Sequence, residues 1–185
     1  MPRALLPKSV SLLSVALVVA GCSGNTGSAP PGANAQSPLA PPDFELSTTD
    51  GKSERLSEHL GKEVVLLDFW ATFCEPCLAG MPHLDALYRR HHEQGFVVLG
   101  ISIDGPDSVA QVKTTVSKLG ISFPILLDQE TRVVALYNPK TSAPYSVLIG
   151  RDGRILKKQE GYTTGNASVL DRDVADALAL TQPIP

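Results

Sequence analysis

The sequence is poor in cysteine, in aromatic residues and in net charge. Its 185 residues include three cysteines and one tryptophan, and aromatic residues make up 5% of the chain. Three cysteines cannot supply a framework of several structural disulfides. A net charge of −3 gives no indication of nucleic-acid binding or of general adhesion to membranes. The hydrophobic content of 43% is enough for one packed domain of ordinary size, and neither an internal repeat nor a second domain is visible.

The chain also lacks the ligands of a structural zinc site. Cys74 and Cys77 have the C-x-x-C spacing that zinc sites use, but there is no second cysteine pair. None of the four histidines forms an H-x3–5-H pair, although a structural zinc ion needs four ligands. We therefore expect neither a metal nor another cofactor.

The sequence does contain an apolar run that ends close to two cysteines. Val64 to Trp70 is apolar except for Asp68, and Gly61 precedes it. This pattern predicts a buried strand of the parallel-sheet kind. Residues 75–94 carry apolar side chains near helical spacing and predict a helix directly after the strand.

Cys74 falls at the predicted junction between this strand and this helix. Unpaired backbone N–H groups and the positive end of the helix favour a thiolate there and lower the pKa of the cysteine. Cys77 lies one turn further along the same face, close enough to form a disulfide with Cys74. We expect Cys74 to be the exposed, nucleophilic sulfur.

The residues around this pair resemble those of thioredoxin-like proteins, and most closely the membrane-tethered TlpA/ResA group. The resemblance depends on Asp68-Phe69-Trp70-Ala71, on Pro82 eight residues after Cys74, and on Ala143-Pro144. It covers about residues 42–180 and implies an α/β, thioredoxin-like fold. That fold has a central mixed β-sheet with helices on both faces, an N-terminal β-hairpin and a central insertion.

Local patterns supply the expected elements of this fold. Strands are predicted at residues 43–46, 52–56, 64–70, 96–103, 121–127, 145–150 and 155–161. Helices are predicted at residues 75–94, 107–119, 131–137 and 169–180, with a short helix at 58–60 capped by Ser57.

The resemblance assigns a redox role to the cysteine pair. It implies that Cys74 attacks a substrate disulfide and that Cys77 resolves the mixed disulfide, which leaves an oxidised Cys74–Cys77 pair. It also implies that Pro144 follows a cis peptide bond and lies against the pair, where the neighbouring backbone can pair with a substrate peptide. A trans proline in a simple turn is the alternative.

Two acids accompany the pair in the sequence. Asp68 occupies the place of thioredoxin's buried acid, where a desolvated carboxyl has a raised pKa and can take the proton from Cys77. Glu75 lies between the cysteines and should raise the Cys74 pKa, in opposition to the helix end. The alternatives are a hydrogen-bonded structural acid for Asp68 and a solvated first-turn acid for Glu75.

Five further residues are assigned to substrate binding around the pair: Trp70, Phe73, Pro76, Ala143 and Tyr145. Pro76 fits the first turn of a helix, where a missing N–H costs nothing. Trp70 is expected to pack beside the disulfide and shield it, although it could be plain core. Ala143 and Tyr145 differ from the residues usual beside this proline, which weakens inference of the substrate from relatives.

The N-terminal 42 residues predict a tether. Arg3 and Lys8 precede a twelve-residue apolar stretch that is shorter than the roughly 20 residues of a transmembrane helix. Val19-Ala20-Gly21-Cys22 resembles a bacterial lipobox, which makes residues 1–21 a signal peptide and Cys22 the lipidated residue. An ordinary signal peptide is the alternative. Residues 22–42 are predicted to form a disordered Pro/Gly/Ser linker. The thioredoxin-like domain is predicted at residues 43–181 and a tail at residues 182–185.

Taken together, the resemblance implies a thiol-disulfide oxidoreductase held on a membrane of the bacterial cell envelope, facing the periplasm. It implies a monomer that reduces protein disulfides, for example in apocytochrome c or copper-centre assembly. A membrane thiol carrier of the DsbD/CcdA type would supply the electrons. The alternatives are a disulfide-forming oxidase or isomerase, a non-enzymatic docking module and a thiol peroxidase with antioxidant activity. The peroxidase motif P-x-x-x-T-x-x-C fits neither cysteine.

Overall fold

The computed structural model of the protein describes residues 40–180. The predicted signal peptide, the lipidation site Cys22, most of the linker and the tail lie outside these residues. None of the helices within residues 40–180 is long and apolar enough to cross a membrane.

Within residues 40–180, seven strands form a hairpin and a five-stranded mixed sheet. The sheet has the order β5-β4-β3-β6-β7, in which β3, β4 and β5 run parallel while β6 and β7 are antiparallel to their neighbours. The separate hairpin pairs β1 with β2. The strands are β1 Glu45–Ser47, β2 Ser53–Arg55, β3 Val64–Trp70, β4 Phe96–Ser102, β5 Ile125–Leu127, β6 Tyr145–Ile149 and β7 Ile155–Glu160.

In the described part of the chain, four α-helices connect and cover the sheet. They are α1 Glu75–His91, α2 Val109–Leu119, α3 Arg132–Tyr137 and α4 Thr164–Ala179. Apolar residues of α1, α2 and α4 belong to the core cluster on one face, and those of α3 belong to the cluster on the other. The predicted mixed sheet with helices on both faces and an N-terminal hairpin is therefore confirmed.

The central strand β3 divides the core because its side chains alternate between the two faces. All seven of its residues are buried. Leu66 and Trp70 belong to the cluster that also contains both cysteines. Leu67 and Phe69 belong to the opposite cluster, with α3 and the hairpin segment. An uninterrupted apolar run is what a strand covered on both faces requires.

Most element boundaries differ from the sequence prediction by one or more residues, and three of the differences have a clear local cause. Ser57 caps nothing, because it lies inside a 3-10 turn, Leu56–Glu58, and its N–H donates to Asp43 Oδ1 at 2.9 Å. The strand predicted at 121–127 is reduced to β5 because the Ile121 N–H closes the end of α2 instead of pairing with a strand. Helix α4 begins earlier than residue 169 because the Thr163 side chain caps it by accepting from the Asn166 N–H.

The ordered chain also reaches further back than residue 43. Pro41 is buried, and the Pro42 carbonyl accepts a hydrogen bond from the Tyr137 hydroxyl. The ring of Tyr137 packs edge-on against Phe44. The last residues of the predicted linker are therefore attached to the domain at the end of α3.

Candidate active site

The two cysteines form a disulfide at the start of α1. Their sulfurs are 2.02 Å apart and their Cα atoms 5.2 Å apart. Cys74 is the N-cap of α1, and its Sγ accepts a hydrogen bond from the Cys77 N–H at 3.3 Å. Because a thiolate accepts such a bond better than a thiol does, this N–H and the helix end both favour ionised Cys74 in the reduced pair.

The exposure of the two sulfur-bearing residues is nearly equal. Cys74 is 8% exposed and Cys77 is 5% exposed. The contrast in exposure is thus smaller in the oxidised protein than the sequence analysis expects. The position of Cys74 at the helix end, rather than its exposure, is the feature that favours it over Cys77 as the attacking sulfur.

The rim beside the disulfide is exposed and partly apolar. Phe73 is 78% exposed, the largest fraction among the exposed large hydrophobic residues of the domain apart from Leu180. Glu75 and Pro76 are exposed in the first turn of α1. These three side chains can contact a docked protein, and an exposed aromatic side chain next to a nucleophile is a natural apolar contact.

Trp70 lies beneath the site. Its side chain is fully buried in the cluster that contains both cysteines, and its Nε1 has no hydrogen-bond partner within residues 40–180. Trp70 therefore supports the disulfide from inside and contacts no substrate in this conformation.

The peptide bond between Ala143 and Pro144 is cis and opens strand β6 beside β3. Ala143 packs against the cluster that holds the cysteines. The ring of Tyr145 lies on the opposite face of the sheet, where it packs against Phe69 at 6.2 Å between ring centroids. Ala143 thus lies on the cysteine face of the sheet and Pro144 lines the same cleft as Asp68, whereas the Tyr145 ring is directed to the other face.

Asp68 lies on the cysteine face of β3, between Leu66 and Trp70. It is 7% exposed, and burial alone raises its pKa from 3.8 to about 7. Within the described part of the chain, no side chain or backbone group donates a hydrogen bond to its carboxyl group, and Asp68 lines a small cleft together with Leu84 and Pro144. The polar lining of that cleft comes from Ser146, Gln159, Tyr162 and Asn166. A carboxyl group with a pKa near neutrality can accept a thiol proton and pass it to solvent.

A third acid, which the sequence analysis missed, anchors the loop before Cys74. Asp104 follows β4 and is 4% exposed. Its carboxylate accepts from the Thr72 N–H at 3.0 Å, from the Thr72 hydroxyl at 2.6 Å and from the Ser102 hydroxyl at 2.8 Å. Its position at the carboxyl end of the strand next to β3 is the signal that could have revealed it.

Comparison with known proteins identifies relatives of the same architecture. The sequence model of the AhpC/TSA family matches residues 40–158. The thiol-disulfide oxidoreductase ResA of Geobacillus thermodenitrificans is 33% identical over 123 residues, which cover 66% of this chain and 68% of the relative. The ResA of Halalkalibacterium halodurans is 36% identical over 121 residues, 65% of this chain and 66% of the relative.

Solved structures agree on the fold. A Chlorobium tepidum chain assigned as the thiol:disulfide interchange protein DsbE superposes with a TM-score of 0.69 at 28% identity, covering 75% of this chain and 95% of that one. A thioredoxin family protein from Chlorobium tepidum TLS superposes with a TM-score of 0.67 at 24% identity, covering 77% and 97%. The sheet and helices described above are therefore those of the thioredoxin-like fold.

Proposed function

The chain belongs to the AhpC/TSA family and is a thioredoxin-like thiol-disulfide oxidoreductase, and we propose that it works as a reductant of protein disulfides outside the cytoplasm. The observation that carries the redox chemistry is the Cys74–Cys77 disulfide at the N-terminus of α1. The same two sulfurs reduced to thiols hold the two electrons that a substrate disulfide needs.

The reaction proceeds in two exchanges. The Cys74 thiolate attacks one substrate sulfur, which forms a mixed disulfide and releases the other substrate sulfur as a thiolate. Cys77 then loses its proton to Asp68 and attacks Cys74 Sγ. This closes the Cys74–Cys77 bond and releases the second substrate thiolate, so that the substrate gains two electrons and the pair loses them.

The proposed direction is supported by the acids around the pair. Buried Asp68 and exposed Glu75 both disfavour negative charge on the sulfurs, and a destabilised thiolate makes the dithiol form a better reductant. We expect a reduction potential near the thioredoxin value of about −270 mV. Equilibration with glutathione or dithiothreitol, followed by Trp70 fluorescence, measures it. A value near the DsbA potential of about −120 mV would instead favour a disulfide-forming oxidase.

The proposed location rests on the N-terminal sequence. A lipid on Cys22 and a linker of about 20 residues, spanning roughly 25 Å as a coil, would hold the domain close to a bacterial membrane on its periplasmic side. Fractionation of cells that express the full chain tests this. We expect the wild-type protein in the membrane fraction and Cys22→Ser in the soluble fraction, and equal distribution of the two would contradict lipid anchoring.

The proposed partners are an oxidised apocytochrome c or copper-centre assembly protein and a membrane thiol donor of the DsbD/CcdA type. Cys77→Ser cannot resolve a mixed disulfide, so it should accumulate substrates bound to Cys74 in cells. Mass spectrometry of the trapped species identifies them. The matched control is Cys74→Ser, which should trap nothing.

A further inference from the structure

A six-residue loop, Asn138–Ala143, leads from α3 to Pro144 and is built around one buried amide. Asn138 is 4% exposed, although asparagine is mostly a surface residue. Its Nδ2 donates to the Ser142 carbonyl at 3.2 Å and to the Ser142 hydroxyl at 3.0 Å. Its Oδ1 accepts from the Lys140 N–H at 3.1 Å.

The backbone of Asn138 is engaged as well. Its N–H donates to the Val134 carbonyl at 2.7 Å, and its carbonyl accepts from the Thr141 N–H at 2.8 Å. One residue thereby contacts the end of α3 and three consecutive residues of the loop. A loop with this many bonds to a single buried group has its conformation fixed by that group.

The loop also contains a conformation that needs such support. Thr141 has φ of 48°, a left-handed conformation that is costly for a β-branched residue. Sparsely populated backbone conformations persist where the surroundings over-determine them, and they concentrate at functional sites. The bonds from Asn138 to the residues on both sides of Thr141 provide that support.

The loop ends at the active site. Ala143 packs against the core cluster that contains Cys74 and Cys77, and Pro144 lines the same cleft as Asp68. We propose that Asn138 is a positioning residue that sets the Ala143–Pro144 edge for docking of polypeptide disulfides, so that it governs selection of polypeptide over small disulfides. The inference rests on the proposed oxidoreductase activity. It does not depend on whether the protein reduces or oxidises its substrates, or on the membrane tether.

The test compares polypeptide and small disulfides as probes. The polypeptide probes are insulin and a short peptide with an oxidised Cys-x-x-Cys-His segment, and the small probe is 5,5′-dithiobis(2-nitrobenzoate). In Asn138→Asp, which keeps the side-chain shape but turns an acceptor toward the Ser142 carbonyl, we expect kcat/KM for the polypeptides to fall about tenfold. The loss should appear in KM, while kcat and the reduction potential stay the same. The rate with the small disulfide should fall less than twofold.

Two variants of the same loop complete the design. Ser142→Ala removes only the hydroxyl partner of Asn138. It should lower kcat/KM for the polypeptide probes about twofold to threefold. Lys140→Ala is the control, since its side chain makes an exposed ion pair with Glu160 and its backbone N–H remains available to Asn138. Lys140→Ala should change kcat/KM by less than twofold with the polypeptide probes and with the small disulfide.

Four outcomes would overturn the inference. They are an equal loss with all probes in Asn138→Asp, no loss with any probe, a loss in kcat instead of KM, or a wild-type protein that reduces the small disulfide but neither polypeptide. The unchanged near-ultraviolet signal of Trp70 checks that each variant is folded. If Asn138→Asp fails to fold, the Ser142→Ala and Lys140→Ala pair decides alone, because only the former should raise KM for the polypeptides.

Discussion

Asp68 lies within β3 and Asp104 just after the neighbouring strand β4; both carboxyl groups are buried, yet their surroundings are opposite. Asp104 is 4% exposed and accepts hydrogen bonds from three groups, two of them on Thr72. Asp68 is 7% exposed, and no group within residues 40–180 donates a hydrogen bond to its carboxyl. Asp104 fixes the loop before the cysteines, whereas Asp68 has no such bonds and a pKa close to neutrality.

The difference follows from the cost of burying charge. A carboxylate removed from water is stable only where donors replace the water, and without donors it keeps its proton to a higher pH. Donors are available to Asp104 because it lies beyond the last residue of β4, where loop backbone and hydroxyl groups are unpaired. Asp68 lies inside β3, where the backbone N–H groups are already used by β4 and β6.

The largest expected effect is on stability when Asp68 is neutralised. Its folded pKa of about 7 exceeds the ordinary value of 3.8, so the folded state binds the extra proton and loses stability as pH rises from about 4 to 7. Asp68→Asn should remove this loss and stabilise the oxidised protein by on the order of 4 kcal/mol at pH 8. Urea unfolding at pH 4 and pH 8 measures it. An equal effect at both pH values would show that Asp68 is not protonated at neutral pH.

The next effect is on the second exchange of the reaction. If Asp68 is the base that the proposed function assigns to Cys77, its replacement by Asn should slow closure of the Cys74–Cys77 bond by about 10²-fold at pH 7, the lower range for general-base catalysis. Stopped-flow Trp70 fluorescence of a preformed mixed disulfide follows this step in Asp68→Asn. The control is Glu75→Gln, which alters the exposed acid and should change the rate of closure by less than threefold. If Asp68→Asn closes as fast as wild type, Asp68 is not the base.

Replacement of Asp104 by Asn should change the free energy of unfolding in the opposite direction from Asp68→Asn. Asp104→Asn brings an N–H toward groups that all donate, so it should destabilise the protein by about 2 kcal/mol at pH 7. Urea unfolding of Asp104→Asn and of Asp68→Asn under the same conditions compares the two variants directly. If Asp68→Asn and Asp104→Asn both stabilised the protein, or both destabilised it, hydrogen bonding would not distinguish these two buried acids.

These two acids also show how far the sequence could be interpreted. The apolar run of β3 and the C-x-x-C pair were enough to predict a sulfur pair at a strand–helix junction, and the family resemblance that also depends on Ala143-Pro144 implied the fold. Asp68 interrupts an apolar run, so its burial could be predicted as well. Asp104 could not be assigned a partner, because Thr72 is 32 positions away in the sequence and only the parallel pairing of β3 with β4 brings the two together. The face on which the Tyr145 ring lies could not be predicted for a related reason, because it depends on how the side chains alternate along β6 after Pro144.

The smallest effect concerns the hydroxyl of Thr72. Thr72→Val keeps the shape of the side chain and the backbone N–H bond to Asp104, but it removes the 2.6 Å hydroxyl bond. We expect a loss of about 1 kcal/mol in unfolding free energy and less than a twofold change in the reaction with small disulfides. The double variant with Asp104→Asn tests the coupling, because the hydroxyl has less to bond once the carboxylate is gone. If the two losses simply add, Thr72 and Asp104 act independently, and Asp104 does not anchor the loop before Cys74 through this side chain.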